Sequence, residues 1–340
     1  MKQLWQKLWS GRNGPKRREK GRPNSGARRK LGRDQWLYLD LDKEFYGLLL
    51  GVHSFTEAPL NQLEREVLDE LQSISASKLS RTRLVPRLPE VLPLLMRALR
   101  DEDAANRDLV TKVERDPVLA GEVVRLANGP LFYRGRRLES LEQAVFVLGR
   151  DGLRQLTATV AMRPLFNMES GHFQRLFGRR IWIQAERCAV ACRCFTRSEP
   201  VDPFEAYLAG LVHNVGFLVG AQVLGRALTG DEAPRSLAFR ERFVPKCQWL
   251  SSLIAREWAL PDSIIRALED QTAGKAPEQM SSLGAILYWS VELSQIVTLE
   301  EEGRFSAEAD QIVRWVGARS LSRCDRCYRE LKAALEMKPD

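Results

Sequence analysis

The sequence predicts an all-α protein, a helical bundle that carries a basic N-terminal arm. Three observations predict it. Apolar residues recur at three- and four-residue spacing through most of residues 60–335. Cap-forming residues precede those runs, as at Asp116-Pro117 and Ser140, while Asn128-Gly129 and Gly149 follow them. No convincing apolar/polar alternation appears between residues 86 and 275, where a half-buried strand would show it.

The chain has 340 residues, enough for one large domain or two ordinary ones. It is 44% apolar and 28% charged, which suits a globular protein with a sizeable core. The first ten residues carry charge but no apolar signal core, so a cytoplasmic chain is expected. Six cysteines in this length are not a disulfide scaffold, and free thiols in a reducing compartment are expected.

Residues 1–35 form the arm. Positions 1–33 hold twelve Lys or Arg and one acid, Glu19, so this segment stands at +11. The whole chain stands at +8, which leaves residues 34–340 at −3. Leu4, Trp5, Leu8 and Trp9 would share one stripe of a short helix. Arg17, Arg18, Arg28 and Arg29 follow in a Gly- and Pro-rich stretch with little to bury, a composition that is disordered when free. Three uses compete: a solvated tail, a contact with an anionic membrane surface or acidic partner, and electrostatic binding of nucleic acid. Nucleic acid ranks below the first two, because nothing in the arm reads bases. The membrane contact would hold the chain peripherally at the inner membrane.

Residues 36–85 form an N-terminal extension. Trp36–Leu50 is compatible with strand or helix, while Leu60–Ile74 reads as a helix on Leu60, Leu63, Val67, Leu68, Leu71 and Ile74. Ser73–Arg83 is polar and reads as a linker. The body spans residues 86–275. Its predicted helices begin at Pro93, at Pro117 with Val118, Leu119, Val123, Leu126 and Ala127 on the buried face, and at Leu141 with a Ser140–Gln143 capping box. Further helices are predicted at Gly152–Ala161, His172–Phe195, Pro203–Leu224, Arg240–Trp258 and Pro261–Gln271. Residues 276–340 add helices at Ser281–Val297, Ala307–Val316 and Ser320–Met337, packing on the body or facing a partner.

The body's most apolar stretch, Ala206–Leu224, holds His213 and Asn214 at its centre. Buried polar groups need partners. A membrane span, a metal-dependent site and a helical core compete for this stretch. The internal polar residues and the lack of any second supporting segment weigh against the span, leaving site against core.

The motifs Pro86-x-Leu88-Pro89, Asp116-Pro117-x-Leu119-Ala120, Arg125-Leu126-Ala127-Asn128, Leu141-x-x-Ala144-Val145-x-x-Leu148-Gly149, Ala209-Gly210-Leu211-x-His213-Asn214-x-Gly216 and Trp258-x-Leu260-Pro261-x-x-Ile264 occur in this order. Together they resemble the HDOD family, the HD-related output domain of bacterial signalling proteins, over roughly residues 84–275. The resemblance implies a helical fold related to HD-domain phosphohydrolases, acting as a non-catalytic output or scaffold module with signalling proteins as partners.

HD hydrolases need a His … His-Asp … Asp ligand pattern, in which imidazoles and carboxylates hold a divalent cation that activates water. Against that pattern Gln184 stands for the first His and Asn214 for the Asp. Cys247 and Asp270-Gln271 stand where related proteins often carry His. Neutral amides are poor metal ligands, so no catalytic centre, no metal and no cofactor are expected. His213 and Asn214 are expected to form a buried hydrogen-bonded pair in a remnant cleft with Gln184, with Gly210 and Gly216 allowing close helix approach. The competing reading is a metal-dependent phosphohydrolase acting on a nucleotide or phosphoester. A nucleotide held in the cleft without hydrolysis is a further reading.

Cys188 and Cys192 read as small core residues one turn apart. Cys324-x-x-Cys327 is a weak zinc signal and an equally weak redox signal. Phosphate loops and nucleophile elbows are absent from the sequence.

Overall fold

A computed structural model describes residues 40–77, 79, 83–93, 111, 113–114, 116–129, 132, 135–168, 171–228, 234–304 and 321–336. The arm, with Trp5, Trp9 and its arginines, lies outside the described residues, as do the helices expected at 94–99 and 307–316. Among the described residues there are eleven α-helices and no strand. They are α1 Leu41–Leu50, α2 Gln62–Ala76, α3 Pro117–Ala127, α4 Leu141–Phe166, α5 His172–Phe195, α6 Pro203–Val212, α7 Val215–Ala227, α8 Leu237–Glu257, α9 Asp262–Thr272, α10 Ser282–Glu301 and α11 Leu321–Glu336.

The helix starts follow from capping chemistry. Asp116 accepts from the N–H groups of Val118 and Leu119, and Asp202 from those of Phe204 and Glu205; each is followed by Pro at the first helical position. Asn61 and Glu64 form a reciprocal capping box at α2. The Glu64 carboxylate also accepts from the Ser236 N–H at 2.9 Å and hydroxyl at 2.8 Å, which ties the start of α2 to the start of α8.

Helix α5 is the hub, packing against α6, α7, α10, α11, α4 and α1. Helix α6 sits beside it, in contact also with α4, α9 and α10. One hydrophobic core runs from Leu41 through α6 and α7 to Leu299 and Leu331, so both extensions share it with the body. Gly210 lets α6 close on α5: a Cβ there would stand 2.5 Å from the Ala189 Cα. Gly216 does the same for α7 on α8, where a Cβ would meet the Cys247 carbonyl oxygen at 2.0 Å.

Several expectations need correction. Trp36–Leu50 resolves to a helix from Leu41, capped by Asp40 and ended by Gly51 at φ 71°. Helix α2 runs to Ala76, into the expected linker. Val118 is 76% exposed, because the buried face of α3 follows Val123 and Ala127. Ser140 does accept from the Gln143 N–H, but the Gln143 side chain turns back to the Glu139 N–H, one residue earlier than a capping box requires. The helices expected either side of Gly149 run on to Phe166, with a kink where Gly149 takes φ 70°. Pro203–Leu224 is two helices, because the chain turns at His213-Asn214. Pro203–Ala227 and Ser282–Glu301 are long and apolar enough to cross a membrane, but 89% and 67% of their apolar windows lie buried within the bundle. The thiols are not all free: Cys194 and Cys327 form a disulfide.

Candidate functional site

The turn between α6 and α7 places His213 and Asn214 at the centre of the bundle, 7% and 4% exposed. They do not bond to each other, as the sequence suggested they would. Asn214 instead donates its Nδ2 to Gln184 Oε1 on α5. Gln184 passes the chain on, donating its Nε2 to Ser294 Oγ on α10 at 2.8 Å. Thus three segments far apart in sequence meet through neutral amides and a hydroxyl.

His213 turns the other way. Its Nδ1 lies 2.7 Å from the Gly210 carbonyl oxygen, which can only accept, so Nδ1 carries the proton. That leaves Nε2 a bare acceptor, buried and unpartnered. Burial pushes the imidazole down to about 4, against a smaller upward pull from the Gly210 carbonyl. The ring is therefore neutral at physiological pH.

These groups line a small cavity of about 30 Å³ with Phe45, Tyr46, Gln248, Leu268, Gln271, Val291 and Gln295. A space of that size holds a water or a single ion, and no nucleotide. Tyr46 stacks on Phe217 with ring centroids 5.6 Å apart. Gln295 donates to Asp42 Oδ1 at 3.4 Å and leaves its own Oε1 buried without a partner. Burial raises the Asp42 carboxyl above its ordinary value, against the hydrogen bond from Gln295.

The remaining positions compared with the HD pattern do not converge on His213. Gln271 lines the cavity, but its Nε2 serves the Ala267 and Gly284 carbonyls. Asp270 is turned to Ser281 and Lys275. Cys247 is fully buried against Gly216 and Gly220 of α7. His53 and His172 are exposed. Among the described residues no three His, Cys, Asp or Glu side chains are arranged to hold a metal ion. The donors present are one imidazole and several amides, a set that does not fit the divalent centre of an HD hydrolase.

Sequence reasoning missed Tyr46, Gln248 and Gln295. Tyr46 and Gln295 come from the two extensions, outside the motifs. A signal did exist for α10: Ser290, Ser294 and Thr298 recur at a spacing of four inside an apolar run, with Gln295 beside them. All four are buried, and the stripe faces Gln184 and Arg187 of α5, Thr298 accepting from Arg187 at 2.7 Å.

Known proteins fit this architecture. An HDOD domain protein of Geobacter sulfurreducens superposes with a TM-score of 0.55 at 20% identity, covering 78% of this chain and 89% of that one. A protein of Shewanella amazonensis SB2B, assigned without demonstration as a metal-dependent phosphohydrolase, gives 0.54 at 18% identity, covering 81% and 100%. A protein of Marinobacter aquaeolei VT8, assigned in the same provisional way to signal transduction, gives 0.52 at 22% identity, covering 90% and 68%. At these identities the likeness carries the fold alone. In sequence, an uncharacterised protein of Treponema pallidum (strain Nichols) is 22% identical over 255 residues, 72% of this chain; the chain spans about half the length of that relative. Residues 85–273, more than half of the chain, match the HDOD domain, and the chain belongs to that family.

Proposed function

We propose that the chain is a non-catalytic output or scaffold module of bacterial signal transduction, acting through protein–protein contacts. One observation carries this reading: the two positions where an HD hydrolase needs charged or imidazole ligands hold Gln184 and Asn214, and Asn214 donates to Gln184, which donates on to Ser294. A carboxylate there would attract a cation, whereas a closed amide pair has no charge to offer one. The cavity beside them has no room for a phosphoester. The arm, through Trp5, Trp9 and the basic run of residues 12–33, would tune location or partner choice at an anionic surface. The chain would then work in the cytoplasm or peripherally at the inner membrane.

The competing reading, a phosphohydrolase, draws support from the likeness of fold to the Shewanella protein. A screen separates the two. The purified full chain is offered phosphomonoesters, phosphodiesters and nucleotides with manganese, iron or zinc added. No turnover above buffer supports the scaffold reading. Turnover that disappears in a folded His213→Ala variant defeats it.

A further inference from the structure

We propose that Cys194 and Cys327 form a thiol–disulfide exchange site, a reversible latch that fastens α11 to the central helix α5. The two residues are 133 positions apart in the chain, yet their Cα atoms stand 5.8 Å apart and the bond between them is closed. That spacing lies inside the range a disulfide requires. The sequence motif points elsewhere, to Cys324 with Cys327, but Cys324 remains a free, buried thiol. This inference is independent of whether the bundle is catalytic.

The disulfide stands among apolar and polar contacts of α11 with α5 and α10. Among the described side chains of α11, Cys324, Cys327, Tyr328 and Leu331 are buried. Around them stand Tyr328 donating to Glu300, Lys332 paired with Glu300 at 2.9 Å, and Arg197 paired with Glu330. The Arg197 and Glu330 side chains are 44% and 35% exposed, and ion pairs in water hold little. Loss of a covalent tie between α11 and α5 raises local opening of that helix. The tie therefore adds to the hold of α11 on the bundle. Opening uncovers the strip of α5 and α10 on which α11 rests.

The exchange balances without further reagents beyond a dithiol and its disulfide. To open the latch, a thiolate of the dithiol attacks Cys327 Sγ, the Cys194–Cys327 bond breaks, and Cys194 leaves as a thiolate that takes a proton. The second thiol of the reductant then attacks its own sulfur in the mixed disulfide. Cys327 is released as a thiol and the reductant leaves as a disulfide, two electrons and two protons having passed to the protein. Closure runs the same steps backwards. The sulfurs are buried, so exchange passes through transient lifting of α11. Burial also pushes the Cys324 thiol up to about 11, which keeps it protonated and unreactive while the helix is docked.

The test equilibrates the full chain in mixtures of a dithiol and its disulfide, reduced and oxidised dithiothreitol, from fully reduced to fully oxidised. Free thiols are trapped with N-ethylmaleimide, cross-linked peptides are mapped by mass spectrometry, and amide exchange over residues 321–336 is read on the same samples. The expected result is one reversible cross-link, Cys194 to Cys327, with those amides exchanging at least about tenfold faster in the reduced chain. Cys324→Ser keeps the cross-link. Cys327→Ser, which leaves α5 untouched, abolishes it and gives fast exchange in every buffer. The proposal is overturned if no cross-link forms across the series, if Cys324 is the residue that pairs, or if protection of residues 321–336 is the same in both states.

Discussion

Asn214 and Gln184, thirty residues apart, bond side chain to side chain at the centre of the bundle, and Gln184 relays that bond to Ser294. Asn214→Ala would strand the buried Gln184 carbonyl oxygen, and Gln184→Ala would strand the Asn214 amide while Ser294 keeps its bond to the Val291 carbonyl. Each substitution is expected to cost about 1–3 kcal/mol. Because the two residues share one network, the double variant should lose about 1 kcal/mol less than the sum of the singles. Urea denaturation of the four proteins reads this directly. Strict additivity would show that the pair contributes no coupling.

His213 makes stability fall with acid. Its folded value of about 4 lies below the ordinary 6.5, so between those limits the unfolded chain binds a proton that the folded chain refuses. Stability from this group is complete above pH 6.5 and is lost as the pH falls to about 4, by up to about 3 kcal/mol. Other groups titrate in the same window, so the readout is the difference between the native chain and His213→Gln. That difference should shrink steadily from about pH 7 to about pH 4; a constant difference would mean the ring is not buried neutral.

Glu292 acts with the opposite sign. Burial, with Asp42 and Asp40 nearby, pushes its carboxyl up to about 8 from an ordinary 4.5. Its folded form keeps a proton that the unfolded chain gives up, so stability declines as pH rises from 4.5 to about 8. Glu292→Gln should match the native chain at about pH 5 and exceed it at about pH 9, on the order of 2 kcal/mol. Thermal melts at the two pH values check this, and equal effects at both would refute the assignment.

Two glycines separate packing from propensity. A Cβ on Gly216 would strike backbone, the Cys247 oxygen at 2.0 Å and the Ser251 nitrogen at 2.5 Å, so α7 and α8 must part. Gly216→Ala is expected to cost about 1–3 kcal/mol. Gly121 on α3 has open space around it, and Gly121→Ala should stabilise by about 0.5–1 kcal/mol through helix propensity alone. Chemical denaturation of both variants checks the contrast, and a gain in stability at Gly216 would contradict the close approach.

The helices were legible because their signals are local. Asp116-Pro117, Ser140 and the Leu60–Ile74 stripe each sit within one turn or one face. The break at His213-Asn214 was not, because an apolar run reads the same whether it forms one helix or two. His213 and Asn214 stand out as polar residues inside an apolar run, and Gln184 through the comparison with the HD ligand pattern, yet their pairing was misread: adjacency in sequence suggested His213 with Asn214, while the turn aims them apart. Tyr46 and Gln295 reach the cavity by tertiary packing of the two extensions, for which a single sequence holds no spacing rule. The Cys194–Cys327 bond was hidden in the same way, by a separation of 133 positions.

The most direct measurement is metal content of the full chain, purified without chelator or a metal-binding tag, followed by calorimetric titration with manganese, iron and zinc. A non-catalytic module predicts less than about a tenth of an ion per chain and no saturable heat, since neutral amides give a divalent cation no charge to bind. About one ion or more per chain, bound saturably and lost in a folded His213→Ala variant, would contradict the account.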